Sequence, residues 1–143
     1  IIIKPDGICK KLIGKIITRF EEEGYKLVAI KMVKPNRDRL EKFYEAHRGR
    51  DYYKPFIDFM TSAPIIVAVI EGENAVNRVR EIIGATDSRK AARGTLRAAF
   101  GTDDRRNLIH ASDSKESAKS EIKFFFTQEE IFNYSQDAWK PKT

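Results

Sequence analysis

Only two histidines stand in the 143 residues, and one of them, His110, lies in Asn107-Leu108-Ile109-His110-Ala111-Ser112-Asp113-Ser114. An imidazole near neutral pH can ligate a metal, serve as a base or attack as a nucleophile. A metal site asks for more ligands close by, and one histidine among scattered carboxylates is a poor set. A triad of Ser112, His110 and Asp113 would need near-adjacent residues to meet in a geometry they rarely reach. A nucleophile toward phosphorus needs donors for phosphate oxygens instead. Lys4, Arg80, Thr86 and Arg97 are the candidates.

Two further charged residues stand where helical spacing expects apolar ones. Arg80 follows Val76 by four and precedes Ile83 by three, at the border of an apolar stripe. Glu121 follows Ala118 by three and precedes Ile122. Either residue could snorkel at a helix edge. The alternative is an inward arginine for an anion and a carboxylate that orients His110. The common nucleotide signatures are missing: there is no G-x-x-x-x-G-K-S/T and no G-x-G-x-x-G. His47-Arg48-Gly49-Arg50-Asp51 resembles a protein-kinase catalytic loop only superficially, because the chain is far too short for that fold.

The elements that must carry these residues follow from periodicity. Ile1 to Ile3 reads as a strand end, stopped by a Pro5-Asp6-Gly7 turn. Lys11 to Glu22 is an amphipathic helix, with Leu12, Ile13, Ile16, Ile17 and Phe20 on one face and Gly24 as its stop. Tyr25 to Val33 is a strand. Asn36 caps a helix with Leu40, Phe43, Tyr44 and His47 at helical spacing. A second short helix carries Phe56, Phe59 and Met60. Ile65 to Ile70 reads as a buried strand, and Glu73 to Ile83 as a helix ended by Gly84. Residues 84–106 show little periodicity and are rich in Gly, Thr, Asp and Arg, as a functional loop would be. Ser114 to Ile122 is a helix capped by an Asp113/Glu116 pair, Lys123 to Phe126 is the expected last strand, and a polar tail runs to Thr143. This order predicts an α+β fold, a ferredoxin-like βαββαβ sandwich with helices packed on an antiparallel sheet.

Bulk properties narrow the classes. The length suggests one domain over 1–143, large enough for a core without disulfides. No apolar run approaches the ~20 residues of a membrane helix, so no membrane role is expected. The single cysteine, Cys9, excludes an intrachain disulfide and suits a reducing compartment, so a cytoplasmic protein is expected. The chain opens on Ile1 rather than methionine, so a few upstream residues are expected. A formal net charge of +6 favours phosphate-bearing partners without choosing among nucleotides, nucleic acid and anionic lipid.

Taken together, the motifs resemble the nucleoside diphosphate kinase family over essentially the whole chain. They are Ile3-Lys4-Pro5-Asp6-Gly7, Gly84-Ala85-Thr86, Gly94-Thr95-Leu96-Arg97 and Asn107 to Ser114. The family pattern for the last is N-x-I-H-G/A-S-D-S. The resemblance implies ping-pong transfer of a γ-phosphoryl group from a nucleoside triphosphate such as ATP to a nucleoside diphosphate, through a phosphohistidine at His110. It implies that Glu121 and Ser112 hold the imidazole, and that Lys4, Tyr44, Arg80, Thr86 and Arg97 contact phosphates. Asn107, with Lys4, would bind sugar hydroxyls, and Tyr52 would stack on the base beside Phe56. Mg²⁺ would arrive bridging the phosphates rather than in a protein cage. Stacking without base hydrogen bonds predicts broad base specificity.

The family also implies a homo-oligomer, with tetramer and hexamer both open. Several positions depart from its pattern. Ser88 and Arg93 replace loop prolines where subunits meet, so assembly is expected to be altered. Asp51 stands between Arg50 and Tyr52 where a proline is usual, Gly101 to Asp104 is polar where an aliphatic arm is common, and Ala98-Ala99 replaces Gly-Asp. None removes a catalytic group. The alternatives are a nucleic-acid-binding or regulatory protein of the same fold, and a phosphohistidine carrier that does not return its phosphate to free nucleotides.

Overall fold

The computed structural model describes residues 1–142, and Thr143, the end of the expected tail, lies outside the described residues. Four strands form one antiparallel sheet. In chain order the elements are β1 (Ile2–Ile3), α1 (Pro5–Cys9), α2 (Ile13–Glu22), β2 (Lys26–Val33), α3 (Arg37–Phe43), α4 (Tyr53–Met60), β3 (Ile65–Glu71), α5 (Ala75–Ile83), α6 (Leu96–Phe100), β4 (Ile109–His110) and α7 (Lys115–Phe125). The strand order is β2-β3-β1-β4, so β1 lies inside and β4 at an edge. Taking α2 and α5 as the crossover helices gives the expected ferredoxin-like βαββαβ core.

Successive residues of a strand face opposite sides, and β1 divides the core accordingly. Ile3 packs with Ile16, Phe20, Val79, Ile82 and Ile109 on the α2/α5 face. Ile2 packs with Leu40, Ile57, Met60 and Val67 on the other face, under α3 and α4. Each fully buried Ile, Leu or Met contributes roughly 1.5–3 kcal/mol. Core packing of this size, rather than intrinsic propensity, holds elements as short as α3 and α4. The helices therefore cover both faces of the sheet rather than one.

Local expectations are corrected at several points. Pro5-Asp6-Gly7 opens α1 instead of turning, because proline is pre-organised for a first helical turn and Asp6 suits its positive end. The segment 84–106 contains α6, whose N-terminal Thr95 hydroxyl accepts from the Ala98 N–H. Lys123 to Phe125 prolongs α7, and Phe126 caps it, so no strand forms there. The fourth strand is Ile109–His110, which pairs Ile2 with His110 and Ile3 with Ile109. Two residues are too few for a periodic signal, whereas the phenylalanine run continues the helical spacing of Ala118 and Ile122. The cap of α7 is also shifted by one residue. The Ser114 hydroxyl accepts from the Ser117 N–H, and the Ser117 hydroxyl accepts from the Ser114 N–H, both at 3.0 Å. The Asn36 cap stands as expected, accepting from Arg39 N–H at 3.2 Å. Its helix ends at Phe43, and a tighter turn, Glu45–His47, carries the chain on.

Candidate active site

The β1–β4 pairing brings together residues more than a hundred positions apart. Lys4 follows β1, and its backbone N–H donates to the Leu108 carbonyl at 2.9 Å, just before His110. Leu108 has φ +81°, a left-handed conformation that costs a leucine about 1–3 kcal/mol. Two contacts hold it there. Its side chain is fully buried, and its N–H donates to the Asp6 carboxylate at 2.9 Å. Gly7 allows the approach, since a Cβ there would lie 2.7 Å from Ile3 and 3.3 Å from the Leu108 carbonyl. The Lys-Pro-Asp-Gly run thus supplies a cation, a helix start, a clamp on Leu108 and a gap for it.

His110 Nε2 lies 2.5 Å from Glu121 Oε1 on α7. Burial lowers the imidazole's pKa from the usual histidine value, partly offset by the Glu121 hydrogen bond and charge. Burial alone would raise the Glu121 carboxyl. The His110 ring, with the Ser112 and Ser117 hydroxyls, outweighs this and holds it below the ordinary range. The rings of Phe43 and Tyr44 stand edge-on to the imidazole, with centroids at 5.8 and 6.1 Å.

The imidazole opens on a cleft of about 950 Å³. Lys4, Tyr44, Tyr52, Phe56, Arg80, Thr86, Arg97, Asn107, His110 and Glu121 all line it; of the expected site residues only Ser112 does not, and its hydroxyl favours the charged form of Glu121. Lys4 is 5% exposed, donates to Asn107 Oδ1 at 2.7 Å and lies 5.2 Å from the centre of the Phe56 ring. Burial, with the Arg97 charge added, brings its pKa down to about 7, against the pull of Asp6. Arg97 donates to three backbone carbonyls, those of Asn107 (3.0 Å), Gly84 (2.9 Å) and Ile109 (2.6 Å). A guanidinium has five N–H donors, so two remain for a ligand. Burial and the nearby Arg80 lower its pKa to about 10. Gly84 is needed here, with φ +96° and no room for a Cβ beside Thr95. Arg80 donates to the Ala111 carbonyl at 3.3 Å and is otherwise exposed.

Asn107 is more committed than its sequence position suggests. Its amide donates to the carbonyls of Thr86 (2.9 Å) and Asp104 (3.2 Å) while Oδ1 accepts from Lys4. One Oδ1 lone pair is left for a ligand. Tyr44 is the reverse case. Its hydroxyl is buried with no partner among the described residues, and burial, with Glu121 nearby, pushes its pKa up. A neutral hydroxyl at a cleft wall is a donor awaiting an acceptor. Sequence reasoning missed Asp6 as a clamp, Phe43 against the imidazole, and Ser117. The spacing of Phe43 in α3 carried the only signal, and it read as core.

Cleft and sheet together define a ferredoxin-like α+β protein that presents a carboxylate-held histidine to a cationic, donor-rich pocket. A family model described as nucleoside diphosphate kinase matches residues 1–131. The nucleoside diphosphate kinase of Methanocaldococcus jannaschii is 52% identical over 133 residues, 93% of this chain and 95% of that relative. The solved nucleoside diphosphate kinase of Aquifex aeolicus is 48% identical, covers 92% of this chain and 95% of its own, and superposes with a TM-score of 0.88. That of Halobacterium salinarum, in complex with CDP, is 37% identical with a TM-score of 0.91, covering 96% of this chain and 91% of its own. The chain belongs to the nucleoside diphosphate kinase family. It is a phosphotransferase acting on nucleoside di- and triphosphates, and the nucleic-acid-binding and regulatory alternatives are not favoured.

Proposed function

We propose that the kinase reaction runs by ping-pong transfer through His110. The observation that carries this is the Nε2 contact to Glu121. It commits one ring nitrogen as an N–H donor and leaves Nδ1 with a lone pair and no partner among the described residues. Nδ1 attacks the terminal phosphorus of a nucleoside triphosphate, the bond to the bridging oxygen breaks, and the diphosphate departs. The ring gains positive charge as the N–P bond forms, and the Glu121 carboxylate stabilises it. A second diphosphate then attacks the phosphohistidine, and the lone pair returns to Nδ1.

Lys4, Arg80, the two free N–H groups of Arg97, and the Tyr44 and Thr86 hydroxyls bind phosphate oxygens. Asn107 and Lys4 meet the sugar hydroxyls, and Tyr52 and Phe56 receive the base. Phosphoryl transfer depends on positioning and charge stabilisation, which this donor set supplies. A divalent cation, Mg²⁺, would arrive with the nucleotide phosphates and would neutralise part of their charge. Among the described residues no group of three or more His, Cys, Asp and Glu could cage it. Asp113 at the cleft wall would offer an oxygen acceptor to such a cation.

The reading extends to one domain over 1–143, a cytoplasmic setting and a homo-oligomer. Among the described residues no helix is long and apolar enough to cross a membrane. The edge strand β2 exposes Ile30 and Met32, which supports contact with another copy. The test is two-step labelling. Incubation with Mg²⁺ and terminally labelled ATP should place acid-labile label on the protein, and GDP or CDP should then remove it as labelled triphosphate. A His110→Ala variant should carry no label. Nucleotide binding without label on the native chain would overturn the mechanism.

A further inference from the structure

The second histidine of the chain lines the same cleft. His47 closes the Glu45–His47 turn, and Tyr52 stands at the N-terminus of α4. The His47 Nδ1 and the Tyr52 hydroxyl share a hydrogen bond of 2.7 Å, with ring centroids 5.8 Å apart. Both side chains line the cleft. The backbone between them winds through turns, with Arg50 N–H donating to the His47 carbonyl and Tyr53 N–H to the Arg50 carbonyl. Gly49 has φ +89°. On its other side the His47 ring lies 6.3 Å from that of Tyr44, which packs edge-on against Phe56 at 4.6 Å. His47 therefore links the exposed Tyr52 ring to the buried aromatic group beside His110.

We infer that His47 is a positioning residue that fixes the Tyr52 ring as the platform for the nucleotide base, a proposal that rests on the reading of Tyr52 given above. Tyr52 is 47% exposed, so packing alone leaves its ring free to change rotamer. A stacking surface that must first be ordered loses part of its binding energy to that ordering. The hydroxyl-to-imidazole bond sets the ring in place before the base arrives. His47 thus acts on affinity for the base, through Tyr52, and leaves transfer at His110 untouched.

The experiment measures the dissociation constant for GDP, CDP and a ribose diphosphate lacking a base, using the full chain and its His47→Ala, His47→Gln, Tyr52→Phe and His47→Ala/Tyr52→Phe variants. His47→Ala should weaken GDP and CDP by about three- to tenfold, the range of one hydrogen bond. It should leave the baseless acceptor unchanged. Tyr52→Phe keeps the ring and removes the bond, so it should give the same loss, and the double variant no more than either single one. His47→Gln, which can still bond the hydroxyl, should recover part of the affinity. In turnover the effect should fall on KM with kcat retained. Equal weakening of the baseless acceptor, additive losses in the double variant, or a fall in kcat at unchanged KM would each overturn the proposal. These binding constants remain readable if labelling shows that His110 is not phosphorylated, so the two readings fail separately.

Discussion

At the His110 end of the cleft the side chains are fixed by several protein hydrogen bonds each, with a few donors left over for a ligand, whereas at the Tyr52 end a single hydrogen bond joins two exposed rings. Arg97 holds three carbonyls, Asn107 holds Lys4 and two carbonyls, and Asp6 clamps the left-handed Leu108. These contacts bind α1, α6, β4 and the Gly84 turn into one unit. The base end is two exposed rings on turns, Tyr52 and His47, beside the half-buried Phe56. The contrast suits a substrate with one constant part and one variable part. Phosphate geometry is the same in every nucleoside diphosphate, so donors can be fixed in advance. Bases differ in their hydrogen-bonding edges but all have a π-face, so a stacking surface serves them alike.

The largest expected effect comes from breaking the rigid end. Arg97→Ala removes two ligand donors and the bracket on three carbonyls together. We expect kcat/KM to fall by about 10²–10³-fold. Unfolding should also become easier by about 1–3 kcal/mol, as carbonyls lose their partner. Arg97→Lys should rescue little, because an ammonium cannot span three carbonyls as a planar fork does. Steady-state kinetics beside thermal unfolding checks both. A loss of tenfold or less would mean that the bracket does not organise the site.

A smaller effect is expected at the open end. Tyr52→Ala removes a ring worth about 1–3 kcal/mol of stacking, or roughly five- to 150-fold in affinity. The loss should appear in KM and be nearly the same for GDP, CDP and UDP, while phosphorylation of His110 by saturating ATP continues. If one base suffers far more than the others, the open end reads base edges. Asp104, polar and at the cleft wall, would then be the group to replace.

The two ends also differed in what the sequence disclosed. Long amphipathic elements were legible because burial leaves a period, as the Ile16 and Phe20 stripe of α2 does. The two-residue β4 and the five-residue α1 leave none. Lys123 to Phe126 has the local β propensity of a strand, but α7 runs into it from Lys115 and carries it as helix to Phe125. No spacing could pair Lys4 with His110, which meet only through the β1–β4 register. The motif resemblance nominated the residues that line the cleft. It did not disclose that Asn107 is nearly saturated by protein partners, or that Tyr52 is tied to His47. Those are properties of atoms that no motif encodes.

The smallest predicted effect is a graded one, and it sharpens the comparison without mutation. Two titrations at the committed end act in opposite senses. The His110 nucleophile must be neutral, and burial lowers its pKa, so activity should fall only as the medium becomes more acid than the usual histidine value. Lys4 must be charged to hold phosphate, and its pKa of about 7 means that the free enzyme loses this cation as pH rises through neutrality. The profile of kcat/KM, which reports the free enzyme, should therefore be bell-shaped, with each limb approaching a tenfold loss per pH unit beyond its pKa. Bound phosphates favour charged Lys4, so the alkaline limb should move to higher pH in kcat. The base end contributes nothing to this shift, so GDP and CDP should give the same displacement. An alkaline limb at the same pH in both profiles would mean that Lys4 does not meet the phosphates, and the committed end would then have to hold them with Arg80, Arg97, Tyr44 and Thr86 alone.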